Sequence, residues 1–116
     1  MTAGSRRTRL RRDQRLGTAA VAAVLRTGRI ARADRLHLYR LPNSTARARV
    51  ALIVPKRLAP RAVARNRIRR LIREAFRLQQ HRISGNDCVV RLVKAAGDTP
   101  VTRDEIEALL LRAVSA

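Results

Sequence analysis

Aromatic side chains are almost missing from this 116-residue chain, which has no tryptophan, one tyrosine (Tyr39) and one phenylalanine (Phe76). A core must therefore rest on Val, Leu, Ile and Ala, and flat surfaces for stacking are scarce. Cysteine occurs once, at Cys88, which excludes an intrachain disulfide framework and a cysteine-built metal site. Its place in the apolar run Cys88-Val89-Val90 predicts a small buried thiol. Long apolar runs are also missing. Ala19 to Leu25 is only seven residues and runs into Arg26, far short of the roughly 20 needed to span a bilayer. The same shortness, without a small-residue cleavage site, argues against reading Ser5-Arg6-Arg7 as the start of an export signal. No membrane association is expected, and the cytoplasm is the expected location. His37 and His81 stand among basic neighbours without a carboxylate pair, so no catalytic residue of the protein itself is evident.

Acidic residues are few: 8 against 27 Lys and Arg, for a formal net charge of +19. Such an excess repels itself, and a polyanion would neutralise it with release of condensed counterions. Nucleic acid is therefore the leading partner class. Lysine occurs only at Lys56 and Lys94. The planar fork of arginine suits bidentate phosphate contacts and stacking on bases, a preference that genome base composition can also produce. The length is that of one domain, and nothing repeats. Arginines at 6, 7, 9, 11, 12 and 15, opposed only by Asp13, predict a flexible basic arm over residues 1–15 and a single domain over 16–116.

Thr18 can cap a first helix with Val21, Val24 and Leu25 on one face, and Gly28 can end it in the left-handed conformation. Strand signals follow at Arg35–Leu41 and Arg47–Val54 around the turn residues Pro42-Asn43-Ser44, which predict a hairpin; Arg29–Ala33 offers a short edge strand. A long helix is expected from about Pro60 to His81 and a further strand over Asp87–Lys94. Thr102 and Glu105 fit the capping box of a last helix burying Ile106, Leu109, Leu110 and Val114. The order α-β-β-β-α-β-α describes an α+β domain, a two-layer sandwich of helices on a small sheet.

The segment Ala62 to Arg77, AVARNRIRRLIREAFR, separates into two faces on a helical wheel. With Arg65 at 0° and about 100° per residue, Arg69, Arg73, Asn66, Arg77 and Arg70 fall between about 40° and 140°. Ile68, Leu71, Ile72 and Ala75 lie opposite, between about 240° and 340°. Arg65, Arg69, Arg73 and Arg77 form an i, i+4 lane of like charge bordered by a single acid, Glu74. Each such like-charge pair costs a few tenths of a kcal/mol in an isolated helix, a strain that a bound polyanion would relieve.

Here the chain resembles the protein component of bacterial ribonuclease P, whose most recognisable feature is an Arg-Asn-Arg motif on such a helix. Arg65-Asn66-Arg67 matches it, followed by Ile68-Arg69-Arg70 and Arg73-Glu74-Ala75-Phe76-Arg77 in the family's order. Upstream, Val54-Pro55-Lys56-Arg57 looks like the family's strand end, and fainter similarity runs from about Leu16 to Val114. The resemblance implies a left-handed β-α-β crossover and RNA contacts from Arg65, Asn66, Arg67, Arg69, Arg70 and Arg73, which Arg77 extends along the lane. It also implies a cleft between the first helix and the sheet for the 5′ leader of precursor tRNA, lined by Val21, Leu25, Tyr39 and Lys56. The partners it implies are a catalytic RNA, in a 1:1 complex, and precursor tRNA, with no protein partner required. Hydrolysis would belong to the RNA with Mg²⁺, and the protein alone would bind no cofactor. Two departures stand out. Val21 and Leu25 replace aromatics that face the leader in the family, and Leu58-Ala59-Pro60-Arg61 lacks the usual glycine and looks one residue longer. A ribosomal or ribosome-assembly protein would share the charge and size; a helix-turn-helix DNA reader would need a partner helix where strand signals stand.

Overall fold

The computed structural model describes residues 15–95, 97 and 99–115, so the expected basic arm lies outside the described residues except at Arg15. The elements are α1 (Thr18–Thr27), β1 (Arg29–Arg32), β2 (Leu36–Pro42), β3 (Arg49–Ile53), α2 (Ala62–Gln79) with a short 3-10 turn at Gln80–Arg82, β4 (Asn86–Leu92) and α3 (Arg103–Ser115). This is the expected α+β order.

The four strands form one sheet in the order β1-β2-β4-β3, with β1–β2 and β2–β4 antiparallel and β3–β4 parallel. The expected hairpin between β2 and β3 is absent, because β4 lies between them. Its composition explains the insertion. Cys88, Val90 and Leu92 are buried on one side and Val89 on the other, and a strand apolar on both faces is stable only where both are covered. The β2–β3 connection therefore arches over the start of β4. Asn43 donates from its backbone N–H to Gly85 O (2.7 Å) and from Nδ2 to Asp87 Oδ1 (2.8 Å). Arg49 Nε donates to the same carboxylate at 2.7 Å. The true hairpin is β1–β2, and α2 makes the β-α-β connection between the parallel neighbours β3 and β4.

Period-two alternation gives the sheet two different faces. On one, Leu36, Leu38, Val50, Cys88, Val90 and Leu92 pack with Ile68, Ile72, Ala75 and Phe76 of α2 and with Ile106, Leu109, Leu110 and Ala113 of α3. This two-layer core is the larger one, and Phe76 is its largest fully buried side chain. On the other face Tyr39 and Val89 pack with Val24 of α1, flanked by Val21, Leu25, Leu41, Ala51 and Ile53.

Gly28 ends α1 as expected, but for another reason. Its φ of −72° is extended, not left-handed. A Cβ there would stand 2.5 Å from Val24 O of α1 itself and 3.0 Å from Arg40 O of β2, so glycine is required by close approach of the main chain, first of its own helix and then of the strand. The capping box of α3 is formed: Glu105 N donates to Thr102 Oγ1 at 3.2 Å and Thr102 N to Glu105 Oε1 at 3.4 Å. Glu105 also receives Arg35, whose Nε lies 2.9 Å from Oε2 and whose terminal nitrogens reach the carbonyls of Thr99 and Pro100. Arg35, only 9% exposed, thus fastens the entry of α3 to the β1–β2 hairpin.

Cys88 is fully buried, as the sequence predicts, and burial pushes its thiol up to about 12 from the ordinary 9.0. The reactive thiolate at pH 8 is then about a thousandfold scarcer than in an exposed thiol. Iodoacetamide should leave the native protein unlabelled over a period in which the denaturant-unfolded chain reacts fully. Equal rates in the two states would show the β4 assignment to be wrong.

Candidate nucleic-acid interface

The apolar side of α2 fixes the direction of its arginines. With Ile68, Ile72, Ala75 and Phe76 turned into the core, Asn66, Arg70 and Arg73 are exposed on the rest of the helix and Arg69 is half-buried at the border beside Phe76. Among the described residues no carboxylate pairs with Arg69, Arg70 or Arg73. The Arg73 guanidinium is held below its ordinary value, first by partial desolvation and then by the charges of Arg15 and Arg69. Three cations therefore converge. Arg15 reaches this place through a parallel bridge to Val50 on the outer edge of β3.

The other arginines of the motif have structural partners. Arg65 is half-buried and donates from Nη1 to Ala59 O (3.0 Å) and Pro60 O (2.9 Å), closing the Pro55–Pro60 loop onto the helix. That loop turns on two bonds to Pro55 O, from Leu58 N and Ala59 N, each 3.0 Å. Arg67 points towards α3, with Nη1 2.8 Å from Val101 O. Arg77 is paired with Glu74, and this bond is the main reason that the Glu74 carboxyl is held below the ordinary carboxylate range. Arg103 of α3 approaches the same carboxylate at 3.8 Å. The single acid beside the lane thus neutralises its C-terminal end. Arg69 and Arg73, in its middle, and Arg70 beside it have no carboxylate partner among the described residues.

On the α1 side, Val21 and Leu25 are half-buried against the small cluster that contains Tyr39. Tyr39 is 8% exposed beneath α1, so the side chain serves as packing between helix and sheet in this structure. Lys56 lies exposed on the turn after β3. The structure thus gathers Val21, Leu25 and Tyr39 and leaves Lys56 at the surface. Strand register adds a row that the sequence did not reveal: Arg32, His37, Arg91 and Ile53 are successive cross-strand partners on the α1 face. Alternation hinted at each strand's faces, but only the register sets the three basic residues side by side.

His37 is held below its ordinary value of 6.5, chiefly by burial and then by Arg32 and Arg91. The unfolded chain therefore binds the proton more readily. Stability associated with this ring is intact above about pH 6.5 and falls as the pH drops through that value, levelling below the folded midpoint. An NMR titration should place the His37 midpoint below 6.5, and His37→Gln should flatten the loss of stability between about pH 7 and 5. A midpoint at or above the ordinary value would contradict the arrangement.

Among the described residues no group of three or more His, Cys, Asp and Glu gathers in a way that could hold a metal ion. Asp87, Glu74 and Glu105 are engaged with arginines. No described helix is long and apolar enough to cross a membrane.

Fold and surface together define a small single-sheet α+β protein whose crossover helix carries cations that its own described carboxylates do not neutralise. The chain belongs to the ribonuclease P family: the family model described as Ribonuclease P matches residues 6–114. A relative from Nitrosomonas europaea, named ribonuclease P protein component, is 44% identical over 89 residues, covering 77% of this chain and 75% of the relative. One of the same name from Nitrosomonas eutropha is 43% identical over 77 residues, 66% of this chain and 64% of the relative, so the match spans somewhat less than two-thirds of that protein. The solved RNase P protein of Staphylococcus aureus superposes with a TM-score of 0.73 at 26% identity, covering 88% of this chain and 93% of that one. The RNase P protein of Thermotoga maritima shares the fold, with a TM-score of 0.68 at 23% identity over 91% of this chain and 94% of that one.

Proposed function

We propose that this chain is the protein subunit of a bacterial ribonuclease P, and that it assists a catalytic RNA in removing 5′ leaders from precursor tRNAs in the cytoplasm. The observation that carries the reading is the unneutralised middle of α2, where Arg69, Arg70 and Arg73 stand clear of every described carboxylate. Asn66 and Arg15 flank that patch. Docked on RNA, these residues replace counterions along the phosphate backbone. Arg65, Arg67 and Arg77 contribute a second way, by holding the loop and helix ends that set the face, and their remaining donors extend the RNA contact.

The leader lies along the α1 side of the sheet, against Val21, Leu25 and Lys56, and Tyr39 supports that surface from beneath. Arg32 and Arg91 offer charge in the same direction, on either side of His37. With aliphatic residues where a stacking aromatic would stand, leader binding rests on charge and apolar contact; each aromatic stack forgone is worth about 1 to 3 kcal/mol per base. The protein lowers the repulsion between RNA and substrate and supplies no nucleophile. Mg²⁺ belongs with the RNA in this reading, and the protein alone brings no cofactor. One copy of the chain per catalytic RNA suffices, without another protein.

The test is reconstitution. Adding the protein to its cognate catalytic RNA should restore precursor-tRNA cleavage at a low Mg²⁺ concentration at which the RNA alone is inactive. Absence of stimulation with properly folded components, together with stable co-sedimentation with ribosomes, would replace this reading with that of a ribosomal protein.

A further inference from the structure

Far from the α2 face, at the opposite edge of the sheet, the C-terminal part of α3 leans over β1 without closing against it. Ala31 and Leu38 form the floor, Ala113 forms one wall, and Arg29, Arg40 and Arg112 surround a solvent-open cavity of about 220 Å³. Its origin is steric: Ala31 and Ala113 are both small, and both are buried where the helix meets the edge strand. Neither side chain fills the space between the layers.

The charge around this cavity is one-sided. Arg29 and Arg40 are direct cross-strand partners in the β1–β2 ladder. Like charges directly opposite each other destabilise an antiparallel pair, so an uncompensated Arg–Arg partnership carries a standing cost. Arg112 is turned towards the same place by a hydrogen bond from its Nη1 to the main-chain oxygen of Arg32. Among the described residues none of the three pairs with a carboxylate. Asp34, in the loop after β1, is taken by Lys94 at 3.3 Å. The cavity is also smaller than the roughly 300 to 1,000 Å³ of pockets that enclose an organic ligand, so it suits a group and not a whole nucleoside.

We infer that this cavity is a second phosphate-binding site, which takes a backbone phosphate of the RNA at the sheet edge remote from α2. Forked guanidinium groups over a partly apolar floor favour a tetrahedral oxyanion, and a polynucleotide supplies one with neighbours that the exposed arginines can also meet. The chain then grips RNA at two edges of one sheet: Arg15 and the α2 arginines by β3, and Arg29, Arg40 and Arg112 by β1. The inference rests on the RNA-binding reading above, and its test separates the two.

The side-chain Nε–H signals of arginine in the full chain report the site directly. Titration with a short single-stranded oligoribonucleotide should shift Arg29, Arg40 and Arg112, whereas inorganic phosphate at equal phosphate concentration should shift them much less. Equal shifts with inorganic phosphate would leave a free-anion site only and overturn the assignment to RNA. In parallel, the triple variant Arg29→Gln/Arg40→Gln/Arg112→Gln should bind the catalytic RNA with a log–log salt slope reduced by about 0.7 to 0.9 for each phosphate that is no longer neutralised. An unchanged slope and unshifted signals, alongside a reduced slope in α2 variants, would sink the second site and leave the α2 reading intact. Unchanged slopes in both sets of variants would sink both. The wild-type titration settles the matter even if the triple variant fails to fold.

Discussion

Replacing Arg69 and Arg73 together by Ala is expected to weaken binding to the cognate catalytic RNA about 100-fold while leaving the fold intact. The size follows from two charge-assisted phosphate contacts at about 1.5 kcal/mol each, which is about tenfold per contact. The salt dependence should change with it, the log–log slope falling by about 1.4 to 1.8 for two contacts. Neither guanidinium braces the domain through an ion pair: no described carboxylate pairs with them, and the burden on Arg73 comes from desolvation and from its cationic neighbours. Removing like charges spaced at i, i+4 relieves a few tenths of a kcal/mol per pair, so the melting temperature should stay level or rise slightly. Arg65→Ala provides the contrast. Its guanidinium caps Ala59 and Pro60, so that variant should lose stability as well as affinity. Salt-dependent binding measurements and thermal melts on the same preparations decide the question. A double variant that melts early and binds with an unchanged slope would mean that the face is structural and not an interface.

That contrast within one motif marks what could be read from the sequence and what could not. The two faces of α2 were legible because a period of 3.6 residues is a local property, and the split between Arg69 or Arg73 and Ile68 or Ile72 survives in the structure. The capping box at Thr102 and Glu105 was legible for the same reason, since both partners lie within one turn. Non-local pairing was not. The turn residues after β2 pointed to a hairpin with β3, but what decides the neighbours of β2 is the two-sided apolarity of β4, which Asn43 meets at Asp87, 44 positions further along the chain. The role of Arg35 was equally hidden: it reads as one arginine among many until Glu105 is found 70 positions away. Gly28 looked like a left-handed helix terminus because that is the common use, while the actual constraint includes the carbonyl of Arg40 on a different element. The candidate site divides along the same line. The basic lane of α2 was visible, but the bonds that engage Arg65, Arg67 and Arg77, the burial of Tyr39 under α1, and the row of Arg32, His37 and Arg91 all depend on how elements meet.

Truncation of the only phenylalanine couples this folding argument to the function. Phe76 is 1% exposed and is the largest side chain in the core between α2, α3 and the sheet. Phe76→Ala is expected to cost about 4 kcal/mol, the usual loss when a buried aromatic is removed and its cavity only partly collapses. Against a total stability of about 5 to 15 kcal/mol for a natural domain, that is a large fraction. At about 5 °C per kcal/mol for a domain near this size, the melting temperature should fall by roughly 20 °C. The arginines of α2 are untouched, so RNA that binds only the folded chain should pull the equilibrium back. At about 100 times the dissociation constant the linkage is worth about 2.7 kcal/mol, roughly two-thirds of the loss. The relief should be electrostatic as well, since a chain with a net charge of +19 repels itself until a polyanion covers it. Adding Arg69→Ala and Arg73→Ala to Phe76→Ala should abolish most of the rescue, because the anchor that selects the folded state is then gone. Melting curves of the single, double and triple variants with and without catalytic RNA test this. Failure of RNA to raise the melting temperature of Phe76→Ala, with the protein still able to bind it, would mean that RNA does not discriminate the native α2 face from the unfolded basic chain.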